Sequence, residues 1–103
     1  MPVPDAMHAA ALRIELRIRE ARSLKEKRQV VKSLTTHVGA TYGVAVAEVD
    51  HLDKWHRTTI GIAAVAAGPG HVDRVLHTVR TAIADRRDVE LLGYSVTHLE
   101  RPE

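Results

Sequence analysis

Strict alternation of apolar and charged side chains near the start of the chain is the feature that most limits its fold. The alternating run is Leu12, Arg13, Ile14, Glu15, Leu16, Arg17, Ile18 and Arg19. Successive side chains of a β-strand point to opposite faces, so a repeat of two residues predicts a strand with one buried and one exposed face. The fold therefore contains a sheet, and one face of that sheet has to be covered by another layer.

A helix is predicted directly after this strand. Ser23 is followed three residues later by Glu26, and at this spacing the hydroxyl and the carboxylate can satisfy each other's exposed backbone N–H groups at a helix start. The apolar residues that recur at helical spacing are Leu24, Val30, Val31, Leu34 and Val38. Lys25, Arg28 and Lys32 lie on the opposite side, so this helix should bury one face and expose a basic one.

Four further elements complete the pattern. Gly43 ends the helix, and residues 44–50 and about 55–67 read as two strands joined by a short hairpin connection. Apolar spacing predicts a second amphipathic helix over 72–83 and a last strand over 89–99. Two helices can cover only one face of a four-stranded sheet. The order therefore predicts an α+β, ferredoxin-like βαββαβ sandwich, with an antiparallel sheet and both helices on one face.

Length and composition set the remaining limits. The 103 residues fit one domain, and we expect a disordered N-terminal tail over residues 1–7 and a single domain over 8–100. The absence of cysteine excludes disulfides, thiolate metal sites and a cysteine nucleophile. No apolar run reaches the roughly 18 residues that a membrane span needs. We therefore expect a cytoplasmic protein that does not act at a membrane.

Positive charge is concentrated in one part of the chain. Residues 13–32 contain eight Lys and Arg but only three Glu, although the formal net charge of the whole chain is +2. In the predicted topology the end of the first strand, the start of the first helix and the central hairpin meet at one end of the sheet, where Arg86 and Arg87 would join them. A helix start also favours anions. This end is therefore a candidate site for nucleic-acid phosphates, and a solvated basic surface without a ligand is the competing interpretation.

The candidate nucleic-acid-binding residues are Arg19, Arg22, Lys25, Lys27, Arg28, Lys32, Lys54, Trp55 and Arg57. The outward residues of the first strand are charged rather than aromatic, so the sheet has no platform for stacking bases there. Trp55 is the one candidate for stacking, unless it serves instead to hold the hairpin in place.

Catalytic and metal-binding patterns are weak. None of the serines lies in a nucleophile turn, and we expect no enzyme activity, no cofactor and no metal site. The densest group of possible ligands is His51, Asp53 and His56 with Glu48, but their spacing matches no strong ligand pattern.

Three segments resemble the YlxP-like family of small bacterial proteins of unknown function. They are residues 12–16, Leu-Arg-Ile-Glu-Leu; residues 23–28, Ser-Leu-Lys-Glu-Lys-Arg; and residues 46–49, Val-Ala-Glu-Val, followed by His51, Asp53, Lys54 and Trp55. The resemblance spans residues 7–99 and implies a ferredoxin-like domain. Genes of this family are often found with those for translation initiation factor two and ribosome-binding factor A. The resemblance thus implies a role near ribosome assembly or translation, with ribosomal RNA or a ribosomal subunit as partner.

A second hypothesis is a homodimeric or protein-binding module that uses the helix-free face of the sheet. That face would mix Arg13, Glu15 and Arg17 with Thr59, Gly61 and Ala63. The small residues would allow a second sheet to approach closely.

Overall fold

Six elements follow one another in the predicted order. They are β1 (His8–Ile18), α1 (Leu24–Tyr42), β2 (Ala45–Asp50), β3 (Arg57–Ala66), α2 (Pro69–Ala84) and β4 (Val89–His98). The computed structural model describes residues 7–99. The strands form one antiparallel sheet in the order β2-β3-β1-β4, which confirms the ferredoxin-like prediction. Of the predicted tail, only Met7 falls within the described residues.

The alternation in β1 decides which face of the sheet the helices cover. Leu12, Ile14 and Leu16 are at most 1% exposed, and they pair across the central ladder with Ile62, Ile60 and Thr58 of β3. The helices complete this core with Val31, Leu34 and Val38 from α1 and Val72, Leu76, Val79 and Ile83 from α2. The opposite face of the sheet, which we call the open face, is covered by neither helix of residues 7–99.

Helix α1 begins and ends where the sequence predicts. The Ser23 hydroxyl accepts a hydrogen bond from the Glu26 N–H at 3.1 Å, and Glu26 Oε1 accepts one from the Arg22 N–H at 2.9 Å. The carboxylate thus reaches the residue before the cap rather than the cap itself. Gly43 ends the helix with φ of 64° and donates its N–H to Gly39 O at 3.0 Å, a left-handed conformation that favours glycine.

Backbone hydrogen bonds bring three connections together where β1 ends. The Ile18 N–H donates to His56 O at 2.8 Å, and the Arg19 N–H donates to Asp88 O at 3.0 Å. The connections between β1 and α1, between β2 and β3 and between α2 and β4 therefore lie at the same end of the sheet, as the topology predicts.

Strand β4 contains an irregularity that the sequence pattern does not show. The two-residue repeat predicts Leu92, Tyr94 and Val96 on one face. The register against β1 shifts, however, so that Leu16 pairs with Leu91 and Glu15 pairs with Gly93. Leu92 is therefore the extra residue of a β-bulge, and it falls out of phase with Tyr94 and Val96.

Candidate nucleic-acid interface

Six exposed cations lie around the start of α1 and along its first three turns, and we call this set the basic end. Its members are Arg19, Arg22, Lys25, Arg28, Lys32 and Lys54. They come from the connection before α1, from the first turns of α1 and from the connection between β2 and β3. Within residues 7–99, none of the six side chains forms an ion pair. Six of the nine predicted residues are therefore exposed cations without an ion pair in this part of the chain, and of these Arg19 donates its Nε–H to Val89 O at 3.3 Å.

Three of these cations form a stripe along α1. Lys25, Arg28 and Lys32 are spaced by three and four residues, so they lie on one side of the helix. At a rise of 1.5 Å per residue, the stripe is about 10 Å long, which is enough to reach more than one phosphate of a nucleic-acid strand. The stripe can therefore contact several phosphates at once.

Carboxylates at this end reduce the positive charge without cancelling it. Glu20, Glu26 and Asp53 are exposed there, so three carboxylates stand beside six cations. The Glu26 carboxylate already accepts a hydrogen bond from the Arg22 N–H. The local charge therefore remains positive, and the first turn of α1 adds the positive end of the helix dipole.

The structure corrects the prediction for Lys27, because this side chain is not on the surface. It is 0% exposed, and its Nζ donates to Glu48 Oε2 at 2.5 Å, to His51 O at 2.9 Å and to Leu52 O at 3.4 Å. The ammonium has no donor left for a phosphate. The spacing of Lys27 to the buried residues Val31, Leu34 and Val38 is the sequence signal that could have placed it on the core face.

Buried Lys27 instead positions part of the basic end. The two carbonyls that it contacts, those of His51 and Leu52, open the connection that carries Lys54 and Trp55. His51 has φ of 62°, which is unfavourable for a residue with a Cβ, and its carbonyl also accepts the Lys54 N–H at 3.1 Å. The ammonium thus fixes a strained turn beside the start of α1.

Trp55 projects from this connection. Its side chain is 47% exposed, and its ring meets the His56 ring edge-on with 6.2 Å between the centroids. An indole that is half exposed beside unpaired cations can stack on a base or a ribose.

Two further cations that the sequence assigns to this end are neutralised. Arg57, a predicted site residue, points to the open face, where its guanidinium lies 3.6 Å from Glu15 Oε2. Arg86 donates two hydrogen bonds to the Asp88 carboxylate, at 3.0 and 2.8 Å. Because each cation has a carboxylate beside it, neither adds to the positive charge of the basic end.

The open face carries a connected set of charges. Glu15 accepts a hydrogen bond from the Thr59 hydroxyl at 2.7 Å and lies 3.2 Å from Arg13 Nε. Arg17 Nε donates to Glu90 at 2.6 Å, and Arg13 lies 3.4 Å from Asp50. The pKa of Asp50 is lowered, chiefly because its carboxylate accepts the His51 backbone N–H, with the charges of His51 and Arg13 adding to the effect.

The remainder of the open face is apolar and made of small residues. Ala11, Ala47 and Ala63 are exposed there, together with Val65, which is 67% exposed. Gly61 lies beneath Val49, since a Cβ added to the glycine would stand 3.0 Å from Val49 Cγ1. This face therefore matches the mixture of residues predicted for the second hypothesis.

The possible ligands His51, Asp53 and His56 do not come together. Within residues 7–99, no group of three or more His, Cys, Asp or Glu side chains could hold a metal ion. His51 Nε2 points to the open face and lies 3.8 Å from Glu15 Oε2, and the Glu48 carboxylate is bonded to Lys27 and to the Thr58 hydroxyl. No helix of the described residues is long and apolar enough to cross a membrane.

Comparison with known proteins agrees with the resemblance noted in the sequence. Residues 9–96 match a family model described as "Protein of unknown function (DUF503)". The chain is also 37% identical over 73 residues to the uncharacterized protein YlxP of Bacillus subtilis (strain 168), an alignment that covers 71% of this chain and 79% of that protein. The segment matched by the family model contains the whole basic end and the Lys27–Glu48 pair.

Proposed function

The chain belongs to the DUF503 family, whose members are described as proteins of unknown function, and we propose that it is a non-catalytic RNA-binding protein that associates with ribosomal RNA or a ribosomal subunit. The gene neighbourhood of the YlxP-like family is the reason for choosing ribosomal RNA among nucleic acids. Such a protein would act in the cytoplasm, in ribosome maturation or translation.

One observation carries this proposal. Six exposed cations without an ion pair in residues 7–99 stand together at a helix start, whereas the cations of the open face are paired. Free cations replace the counterions of a phosphate backbone, and this exchange supplies most of the affinity of binding that does not depend on sequence. Recognition would therefore rest on backbone charge and shape.

A salt titration with a ribosomal RNA fragment tests the proposal. The wild-type affinity should fall steeply as salt rises. The variant Lys25→Gln/Arg28→Gln/Lys32→Gln should bind more weakly, and its log–log slope should be shallower by about 2, from roughly 0.7 per phosphate contact of a single strand.

A matched control removes the same charge elsewhere. The variant Arg13→Gln/Arg17→Gln/Arg74→Gln changes three cations on the open face and on α2, and it should keep the wild-type slope. Equal losses in the two variants would show that only net charge matters. An absence of wild-type binding at low salt would contradict the proposal outright.

The single tryptophan gives an independent signal from the same site. Binding of RNA should quench the fluorescence of Trp55, because stacking on a base changes the surroundings of the indole. The quenching should be lost at the same salt concentration as RNA binding. If RNA binds and the fluorescence does not change, the cations contact the RNA and Trp55 does not.

The second candidate is a homodimeric or protein-binding module that uses the open face. The apolar cluster around Ala11, Ala63 and Val65 favours it, because small side chains let another sheet pack closely. The substitution Ala63→Lys places a charge in this cluster without touching the core. It should abolish any self-association that depends on the open face.

A further inference from the structure

Within residues 7–99, strand β4 is an edge strand, and beyond its bulge at Leu92 it lacks the usual protection against pairing. It lies at one end of the sheet order, and all five residues from Tyr94 to His98 are exposed. Two of its apolar side chains, Tyr94 and Val96, are 50% and 40% exposed, and the strand contains no Pro, Lys or Arg. Natural edge strands are usually shortened, charged or interrupted by Pro to prevent association.

The opposite edge of the sheet shows such protection. Strand β2 has six residues, carries Glu48 and Asp50, and has a register shift against β3. Its edge is therefore short, acidic and irregular, whereas residues 94–98 of β4 pair regularly with β1 and contain no Lys, Arg, Asp or Glu. The contrast indicates that the β4 edge is kept free to pair with another strand.

The backbone of β4 shows which residues would pair. The Leu99 N–H donates to Ala9 O at 2.9 Å, and successive residues of an antiparallel strand direct their N–H and C=O groups to alternate sides. Ser95 and Thr97 therefore bond to β1, whereas Tyr94, Val96 and His98 direct their backbone groups outward. Tyr94 and His98 therefore lie two positions on either side of Val96.

Charges on α2 are arranged about the same point. The guanidinium of Arg80 lies over the Tyr94 ring, 4.2 Å from its centroid. The carboxylate of Asp73 is 2.6 Å from His98 Nε2. A positive group therefore marks the Tyr94 end of the free edge, and a negative group marks the His98 end.

From this arrangement we infer that two copies of this chain pair through their β4 edges, antiparallel, about a two-fold axis at Val96. Tyr94 of one copy then lies opposite His98 of the other, and Arg80 of one copy faces Asp73 of the other. The two sheets become one continuous sheet of eight strands, and the contact is isologous. This dimer leaves Lys54 and Trp55 exposed, since they follow the other edge strand.

The occupant is a second copy because the charges are self-complementary. A two-fold axis at Val96 exchanges the positive and negative ends of the edge, so each end meets its opposite. Complementary charges of this kind fix the register and the orientation of a contact. A partner peptide that adds a strand to this edge would need no such symmetry, and it would leave the isolated protein monomeric.

Sedimentation equilibrium of the full chain tests the dimer directly. At micromolar concentration the wild type should show about twice the mass of the 11.4 kDa chain. Val96→Lys should give a monomer, since it places two ammonium groups at the axis, and Ala63→Lys on the open face should remain dimeric. A monomeric wild type, or a dimer lost in Ala63→Lys but kept in Val96→Lys, would overturn the inference.

A charge exchange tests the register. Arg80→Asp and Asp73→Arg should each weaken self-association about tenfold or more, since each places like charges opposite one another. An equimolar mixture of the two variants should form a heterodimer, because their charges are complementary. If the mixture stays monomeric, the proposed register is wrong.

Amide hydrogen exchange on the wild type needs no variant and therefore no assumption about folding. The amides of Tyr94, Val96 and His98 should become protected as protein concentration rises, whereas those of Ser95 and Thr97 should be protected at every concentration. Protection that does not depend on concentration in the first three amides would contradict pairing between copies.

Discussion

The basic end and the open face both carry arginines, but the two surfaces differ in what surrounds these side chains. On the open face, Arg13 and Arg57 stand beside Glu15, and Arg17 stands beside Glu90. At the basic end, no cation has a carboxylate of residues 7–99 at ion-pair distance. The charge of a paired cation is largely offset by the neighbouring carboxylate, so the cation attracts a phosphate only weakly. Local pairing rather than the number of arginines therefore decides which surface is positive.

Lys27 is a third case, since it is a cation with neither solvent nor a surface partner. Removing it should give the largest effect of all. Lys27→Met leaves the Glu48 carboxylate, which is only 15% exposed, without its ion-pair partner. We expect the free energy of unfolding to fall by about 3–5 kcal/mol, measured by urea denaturation followed by circular dichroism.

Two controls sharpen this prediction. Lys25→Met, two residues away and exposed, should change stability by less than about 0.5 kcal/mol. Lys27→Met/Glu48→Leu should recover much of the loss, because an apolar pair often replaces a buried ion pair at little cost. Equal stability of Lys27→Met and Lys25→Met would mean that Lys27 is not buried in solution.

The next effect concerns the pairing of the open face. Glu15→Gln removes the charge that neutralises Arg13 and Arg57, although its amide oxygen can still accept the Thr59 hydroxyl. The free energy of unfolding should fall by about 1 kcal/mol, since exposed pairs contribute little. RNA should bind more tightly, and the salt slope should be steeper by about 0.7 if one phosphate contact is gained. If the same titration shows an unchanged RNA affinity, pairing with Glu15 is not what keeps the open-face arginines from attracting phosphates.

Loss of the α1 cap should lower stability by about as much as Glu15→Gln, or by less. Ser23→Ala removes the acceptor of the Glu26 N–H and should cost about 1 kcal/mol, measured by thermal or urea unfolding. Ser95→Ala, an exposed position in β4, serves as the control and should be neutral. A neutral Ser23→Ala would show that the start of α1 is held by the neighbouring connections rather than by its cap.

The smallest effect is a dependence on pH at the open face. The pKa of Asp50 is lowered in the folded chain, first by the His51 backbone N–H and then by the charges of His51 and Arg13. Ionised Asp50 therefore favours the folded state, so its contribution is present above the unfolded pKa of about 4 and is lost as pH falls through the folded pKa. As the pH falls from about 5 to about 2, Asp50→Asn should lose less thermal stability than the wild type. Thermal unfolding of both proteins at several pH values in this range measures the difference. Parallel pH profiles would contradict this assignment.

Several parts of this structure follow from local sequence. The alternation around Ile14, the Ser23 cap and the Gly43 stop each depend on residues within a few positions of one another. The meeting of the connections at the basic end also follows from the sequence, but through the predicted topology rather than through neighbouring residues. What the periodicity missed was the β-bulge at Leu92, since a two-residue repeat carries no sign of an inserted residue.

The sequence by itself determined the order of the elements, the buried face of β1 and the limits of α1, because hydrogen bonds and apolar spacing within each element decide these features. Only the tertiary structure decided which cations are free. The partner of Lys27 is Glu48 and that of Arg57 is Glu15, residues that come from other elements and meet only when the chain is folded. Whether a charge is paired or open to solvent depends on such distant neighbours, and for that reason the sequence alone could not separate the free cations from the paired ones.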